Sequence, residues 1–113
     1  MSLIEKIEKH RKKLEDLTRR LSELIWKVVN AVCASRADII PLDFGLDINC
    51  LYKTIMFKEV EYEENDLLPL DVIASILKPE NFEKLISFAF DKSILKQLKE
   101  ELLQDAEIID RLL

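Results

Sequence analysis

The chain has 113 residues and a formal net charge of −5, and 49% of its residues are hydrophobic and 35% charged. This length corresponds to one domain, and the hydrophobic fraction is too high for a disordered chain. Glycine occurs once, at Gly45, which excludes the glycine-rich loops that bind phosphates or dinucleotides. A single histidine and two cysteines leave no His/Cys metal cluster, so we expect neither a metal nor another cofactor.

The N-terminus, the cysteines and the hydropathy pattern predict the compartment. No run of about 18 uncharged apolar residues occurs, so we expect no membrane-spanning helix. The opening MSLIEK becomes charged at once, which is not typical of a signal peptide. Without such a signal, Cys33 and Cys50 are predicted to be reduced, packed thiols of a cytoplasmic protein, although a bond between them stays possible. The excess of Leu, Ile, Lys and Glu over Gln is typical of a protein from a thermophile.

The clearest element is a long helix over residues 3–35. Apolar side chains recur alternately every three and four residues, which is a heptad pattern, and neither Gly nor Pro interrupts it. Near its end this helix is apolar on almost every side, which predicts a core around Val28. The seam positions of the heptad pattern are Leu3, Ile7, His10, Leu14, Leu17, Leu21, Leu24, Val28 and Ala31.

The middle of the chain, residues 36–66, carries a mixed pattern. Pro41 and Gly45 indicate a loop over residues 37–47. Residues 48–58 have helical spacing, and we favour a helix there. β-Branched and aromatic residues leave a short β-hairpin within residues 51–63 as the alternative, although neither Gly nor Asn is present for its tight turn. An acidic turn closes the segment.

Residues 67–113 are predicted to form a helical hairpin followed by a C-terminal helix. Pro69 suits the first turn of a short helix, and Pro79 ends that helix and opens the next. The C-terminal helix is expected to begin at a cap formed by Asp91 or Ser93. The whole chain, residues 1–113, is therefore predicted to be a single all-α domain, in which the long first helix packs with three or four shorter helices.

The length of the first helix predicts an interaction surface. It spans about 50 Å, whereas a C-terminal helix of about 20 residues covers only about 30 Å of it. A bare hydrophobic seam is uncommon on a soluble monomer, so we expect a homo-oligomer, most simply a dimer. The alternative is a monomer whose own acidic C-terminal helix lies antiparallel over the seam. The predicted interface consists of Ile7, His10, Leu14, Leu17, Leu21 and Leu24.

Basic residues flank this seam and define a second hypothesis. Lys6, Lys13, Arg20 and Lys27 share the heptad position g, beside the seam. In a parallel dimer Lys6 would face Arg11 of the other helix, so we favour antiparallel pairing, within one chain or between two chains. The same face has the charge that nucleic acid requires, although the chain as a whole is acidic. The residues assigned to nucleic-acid contact in this alternative are Lys6, Arg11, Lys13 and Arg20.

No arrangement of residues along the chain indicates catalysis. His10 is the only histidine, and its seam position suggests a pH-sensitive contact or a residue that reaches solvent. The acidic run around Glu61 lacks the glycine of a calcium loop and is interpreted as a solvated turn. We therefore expect a non-enzymatic structural or adaptor protein that assembles with itself or with a larger protein partner.

Overall fold

In the computed structural model, which describes residues 2–89 and 92–112, the chain has an α+β fold, so the all-α prediction is wrong. Its helices are α1 (Leu3–Cys33), α2 (Leu70–Ile76), α3 (Pro79–Ser87) and α4 (Ser93–Leu112). Between α1 and α2 lie the strands β1 (Ile39–Pro41), β2 (Leu46–Asn49), β3 (Thr54–Phe57) and β4 (Val60–Tyr62). The strands form one antiparallel sheet in the order β1-β2-β3-β4. Asp91, one of the two predicted helix caps, lies outside the described residues.

Helix α1 begins as the heptad pattern predicts and ends two residues earlier than predicted. Ser2 caps it, because the side-chain oxygen of Ser2 accepts a hydrogen bond of 3.2 Å from the backbone N–H of Glu5. The helix changes character along its length, with an exposed first part and a buried second part. The predicted core around Val28 is confirmed, since the buried residues of α1 are Leu17, Leu21, Ser22, Leu24, Ile25, Trp26, Val28, Val29, Val32 and Cys33.

The helix predicted over residues 48–58 is wrong, and strands replace it. Strands β3 and β4 form the hairpin that the β-branched residues left possible, with Phe57 paired to Val60. The two turn residues, Lys58 and Glu59, adopt the left-handed conformation, with φ of 49° and 69°. That conformation costs a non-glycine residue about 1–2 kcal/mol, so its use shows that tertiary contacts outweigh the local preference. The loop predicted over residues 37–47 likewise contains β1 and the start of β2.

One face of the sheet packs into the hydrophobic core. Ile40, Ile48 and Ile55 are aligned across β1, β2 and β3, and each is almost fully buried. They belong to the same core as the buried residues of α1 and the short helices. This explains the failed helix prediction, because the spacing of Ile48 and Ile55 suits a buried strand pair as well as a helix. Pro41 is accommodated because β1 is an edge strand.

Buried polar side chains fix the connections to this core. The indole N–H of Trp26 donates to the carbonyl oxygen of Asp66 at 2.9 Å, and the hydroxyl of Ser22 accepts from the N–H of Leu68 at 3.0 Å. These two bonds hold the segment before α2 against α1. Asn81 in α3 is buried, and its amide oxygen accepts from the backbone N–H of Asp43 at 2.8 Å. The loop between β1 and β2 is therefore held to α3.

Cys33 and Cys50 form a disulfide, so the prediction of two reduced thiols is wrong. Cys33 is the last residue of α1, and Cys50 follows β2 directly. The bond closes a loop with a sequence separation of 17 and ties the end of the long helix to the sheet. Both cysteines are buried. The sequence alone could not predict this bond, because the distance between the two cysteines depends on where the sheet packs.

Candidate interaction surface

The first turns of α1 extend beyond the rest of the molecule. Helix α1 has 31 residues and α4, which packs against it, has 20. The difference corresponds to about 16 Å of helix at 1.5 Å per residue. Accordingly, every residue from 3 to 13 is exposed, and burial begins with Leu14 and Leu17. We call residues 3–13 the uncovered end and residues 14–33 the covered part of α1.

Apolar side chains form a stripe along the uncovered end. Leu3 is 73% exposed, Ile4 is 69% exposed and Ile7 is 51% exposed. Around Ile7 the surface forms a shallow depression lined by Lys6, Ile7, His10, Arg11 and Leu14. The stripe continues toward the half-buried Leu14, which already packs against the core. Large apolar side chains in a row at a solvent-facing helix end are typical of an interaction site.

The covered part of α1 shows how the same seam is filled within the chain. Leu17, Leu21 and Leu24 are buried and belong to one core with α4 residues Leu98 and Leu102. The predicted interface therefore divides into two groups. The chain itself covers its last three residues, while Ile7 and His10 are exposed and Leu14 lies at the boundary. The surface open to another helix is shorter than predicted.

Helix α4 runs antiparallel to α1 and brings acidic residues to the basic flank. Arg20 and Asp105 form an ion pair with 3.4 Å between nitrogen and oxygen. The Asp105 side chain is only 6% exposed, and that of Arg20 is 64% exposed. Two turns further along α1, Lys27 shares a depression with Glu101 of α4. The antiparallel arrangement within one chain is thus present over the covered part.

The residues assigned to nucleic-acid contact also divide at this boundary. Lys6, Arg11 and Lys13 are exposed on the uncovered end, and no described residue forms an ion pair with them. Arg20 is already paired with Asp105 inside the chain. The structure therefore leaves three of the four assigned residues together on one accessible surface.

The acidic segment after β4 has a structural use. A carboxylate oxygen of Asp66 accepts a hydrogen bond of 2.8 Å from the N–H of Glu63, which closes the turn. Glu64 accepts a hydrogen bond of 2.9 Å from the side-chain amide of Asn30 in α1. Within residues 2–89 and 92–112, no three His, Cys, Asp or Glu side chains are grouped to hold a metal ion. None of the helices described is long and apolar enough to span a membrane.

Comparison with known proteins gives no match for this chain among family models, curated proteins or solved structures.

The predicted interface omitted two exposed residues of this surface. Leu3 and Ile4 are its most exposed apolar residues, yet the predicted interface began at Ile7. The helical pattern contained a signal for both, since Leu3 lies on the seam and Ile4 beside it. Asp105 belongs to the acidic last helix that the monomer alternative places beside the basic flank, and it does form an ion pair with Arg20, but its burial was not predicted. Its burial depends on the packing of α4 on α1, which no local pattern reveals.

Proposed function

We propose that this protein is a small non-enzymatic structural or adaptor protein that assembles through the uncovered end of α1. The observation that carries the proposal is the exposed stripe of Leu3, Ile4 and Ile7 on a helix that continues beyond its own partner helix. A second copy of this chain or a helix of a larger protein would bury the stripe. The sequence favours a homodimer with antiparallel helices, and this remains a prediction.

Self-association is tested first with the full chain. We expect the molar mass, measured by light scattering over a dilution series, to rise above 13.2 kDa at high concentration if a second copy is the partner. The double variant Leu3→Ser/Ile7→Ser should abolish any association, because it removes the stripe. Its matched control is Lys9→Ser/Lys12→Ser, which changes the opposite side of the uncovered end and should leave association intact.

The test requires substitutions that leave the fold unchanged. All four substituted residues are exposed, so we expect each double variant to change the free energy of unfolding by less than about 1 kcal/mol. Equal association of the Leu3→Ser/Ile7→Ser variant and its control, whether with a second copy or with a helical partner, would contradict the proposal. Leu17→Asp is unsuitable as a test, because Leu17 is part of the chain's own core.

A second candidate function is nucleic-acid binding. It is favoured by three exposed basic side chains that form no ion pair within the described chain, those of Lys6, Arg11 and Lys13. The triple variant with Glu at these positions should abolish binding to single- or double-stranded nucleic acid at low salt. Undetectable binding of the unmodified protein under those conditions would eliminate this candidate.

The predicted cytoplasmic location is kept as a proposal, and the composition favours a thermophilic source. The disulfide Cys33–Cys50 is unusual for a cytoplasmic protein in general, but intracellular proteins of hyperthermophiles are rich in disulfides. The disulfide and the composition therefore both agree with a hyperthermophilic source. Alkylation in freshly lysed cells, followed by mass measurement of this protein, tests the proposal. We expect the protein in the cytoplasmic fraction, with neither Cys33 nor Cys50 alkylated. Modified cysteines there, or the protein outside that fraction, would contradict it.

A further inference from the structure

The flanks of the uncovered end carry only one sign of charge. Counted along the heptad, Lys6 and Lys13 occupy position g and Arg11 occupies position e, the two positions that border the seam. The acidic residues Glu5 and Glu8 fall on the outer side of the helix. A helix that lies along the stripe of the uncovered end would therefore have basic side chains of α1 on both of its sides.

The covered part of α1 shows what this flank pairs with inside the molecule. At the next g position, Arg20 forms its ion pair with Asp105 of α4, and Lys27 lies near Glu101. Leu98 and Leu102 of the same helix fill the seam. In the covered part, the occupant of the seam is thus an antiparallel helix with leucines on one face and acids at its border.

Helix α4 does not extend this arrangement to the uncovered end. At the boundary, Lys13 and Leu17 share a depression with Ile108 and Arg111 of α4. Arg111 itself is paired with Glu107 at 2.9 Å, so α4 contributes a basic side chain to the depression that it shares with Lys13. Beyond this point the basic flank continues along α1 without an acidic partner from the described chain.

A second copy of this chain fits the stripe less well than an acidic helix does. The antiparallel register that matches the exposed seam places Leu3 opposite Leu14 and Ile7 opposite His10 of the second copy. In that register the g positions of the two helices lie side by side, so Lys6 would face Lys13 of the second copy, twice. Like charges at such close positions oppose pairing.

We infer that the uncovered end of α1 binds an acidic amphipathic helix of another protein, which lies antiparallel to α1 and continues the line of α4. This inference rests on the proposed function, because it names the partner of the same surface. The partner would have leucine or a similar residue at its seam positions and Asp or Glu at both borders. Its acids would pair with Lys6, Arg11 and Lys13, as Asp105 pairs with Arg20.

The test uses the full chain and two synthetic helical peptides. Both peptides have leucine at the seam positions; one has Glu at both borders and the other has Lys. We expect the Glu peptide to bind about tenfold more tightly than the Lys peptide at low salt, and the difference to shrink as salt is added. Equal binding of the two peptides would overturn the acidic partner and leave the assembly surface standing.

Matched charge reversals locate the effect on the seam. The variant Lys6→Glu/Lys13→Glu should reverse the preference so that the Lys peptide binds more tightly. The control Lys9→Glu/Lys12→Glu makes the same change in net charge on the outer side of the helix and should keep the preference for the Glu peptide. The same effect of both variants would show that only net charge matters, and would overturn the inference.

Two further outcomes separate this inference from the proposed function. Self-association that strengthens with salt would identify a second copy as the occupant, because salt screens the repulsion between Lys6 and Lys13. That result overturns the acidic partner and supports assembly. A chain that remains monomeric and binds neither peptide overturns both.

Discussion

The covered and uncovered parts of α1 have the same heptad pattern and the same basic flank, yet they differ in what lies against them. In the covered part, Leu21 is 1% exposed and Arg20 has an acidic partner. In the uncovered end, Leu3 is 73% exposed and Lys6 has no ion-pair partner among the described residues. A heptad pattern therefore shows which face of a helix is buried, but not how much of that face the chain itself can bury.

The largest expected effect comes from equivalent truncations in the two parts. Leu21→Ala should lower the free energy of unfolding by about 3–5 kcal/mol, because it leaves a cavity in a packed core. Leu3→Ala should change it by less than about 0.5 kcal/mol. Chemical denaturation of both variants checks this. Similar losses would mean that the uncovered end is buried in solution.

The disulfide gives the next effect, at the end of α1 that lies farthest from the uncovered end. With a sequence separation of 17, its removal in Cys33→Ala/Cys50→Ala should cost about 3 kcal/mol. Denaturation with and without a reductant provides the control, since a reductant should destabilise the unmodified protein and leave the variant unaffected. An unmodified protein insensitive to reductant would contradict the bond.

The basic flank should matter for stability only where it is paired. Arg20→Gln should destabilise the fold by about 1–2 kcal/mol, because it leaves the buried Asp105 carboxylate without its counter-charge. Lys13→Gln, one heptad earlier, should have an effect below about 0.5 kcal/mol. The measurement is the urea midpoint of each variant at one pH. Equal shifts would remove the electrostatic difference between the two parts.

The smallest effect is expected just beyond the covered part of α1. The hydrogen bonds from the Arg36 guanidinium, at 2.9 and 2.6 Å, lower the pKa of the Asp38 carboxyl. A carboxyl whose folded pKa is lowered stabilises the protein above its unfolded pKa of about 4, and this contribution is lost as the pH falls through the folded value. Asp38→Asn should therefore flatten the pH dependence of the urea midpoint below about pH 4. An unchanged acid limb would show that the contact is absent in solution.

Sequence patterns predicted the elements whose signals are local. Helix α1 was placed within two residues, because a long uninterrupted heptad fits no other structure. Pro79 was expected to open a new helix, and it is the first residue of α3. The two short helices and α4 were expected in their observed order. The predicted antiparallel pairing is present between α1 and α4 of the same chain, whereas pairing between chains remains a prediction.

The sheet and the disulfide were missed because both depend on distant contacts. Lys58 and Glu59 carry no turn signal, and only the burial of Ile55 and Phe57 against the core makes their left-handed conformation acceptable. The pairing of Cys33 with Cys50 follows from where β2 packs. The exposed seam lies on the helix face that the heptad pattern indicated, and its boundary at Leu14 depends on the length of α4; its role as an interface stays a prediction.

The bond between Cys33 and Cys50 turns the first two strands into a covalent ring attached to α1. A single proteolytic cut inside this ring, for example at the exposed Phe44, would leave both fragments in one molecule until a reductant is added. The helix that carries the interaction surface would thus stay joined to the remainder of the protein after such damage.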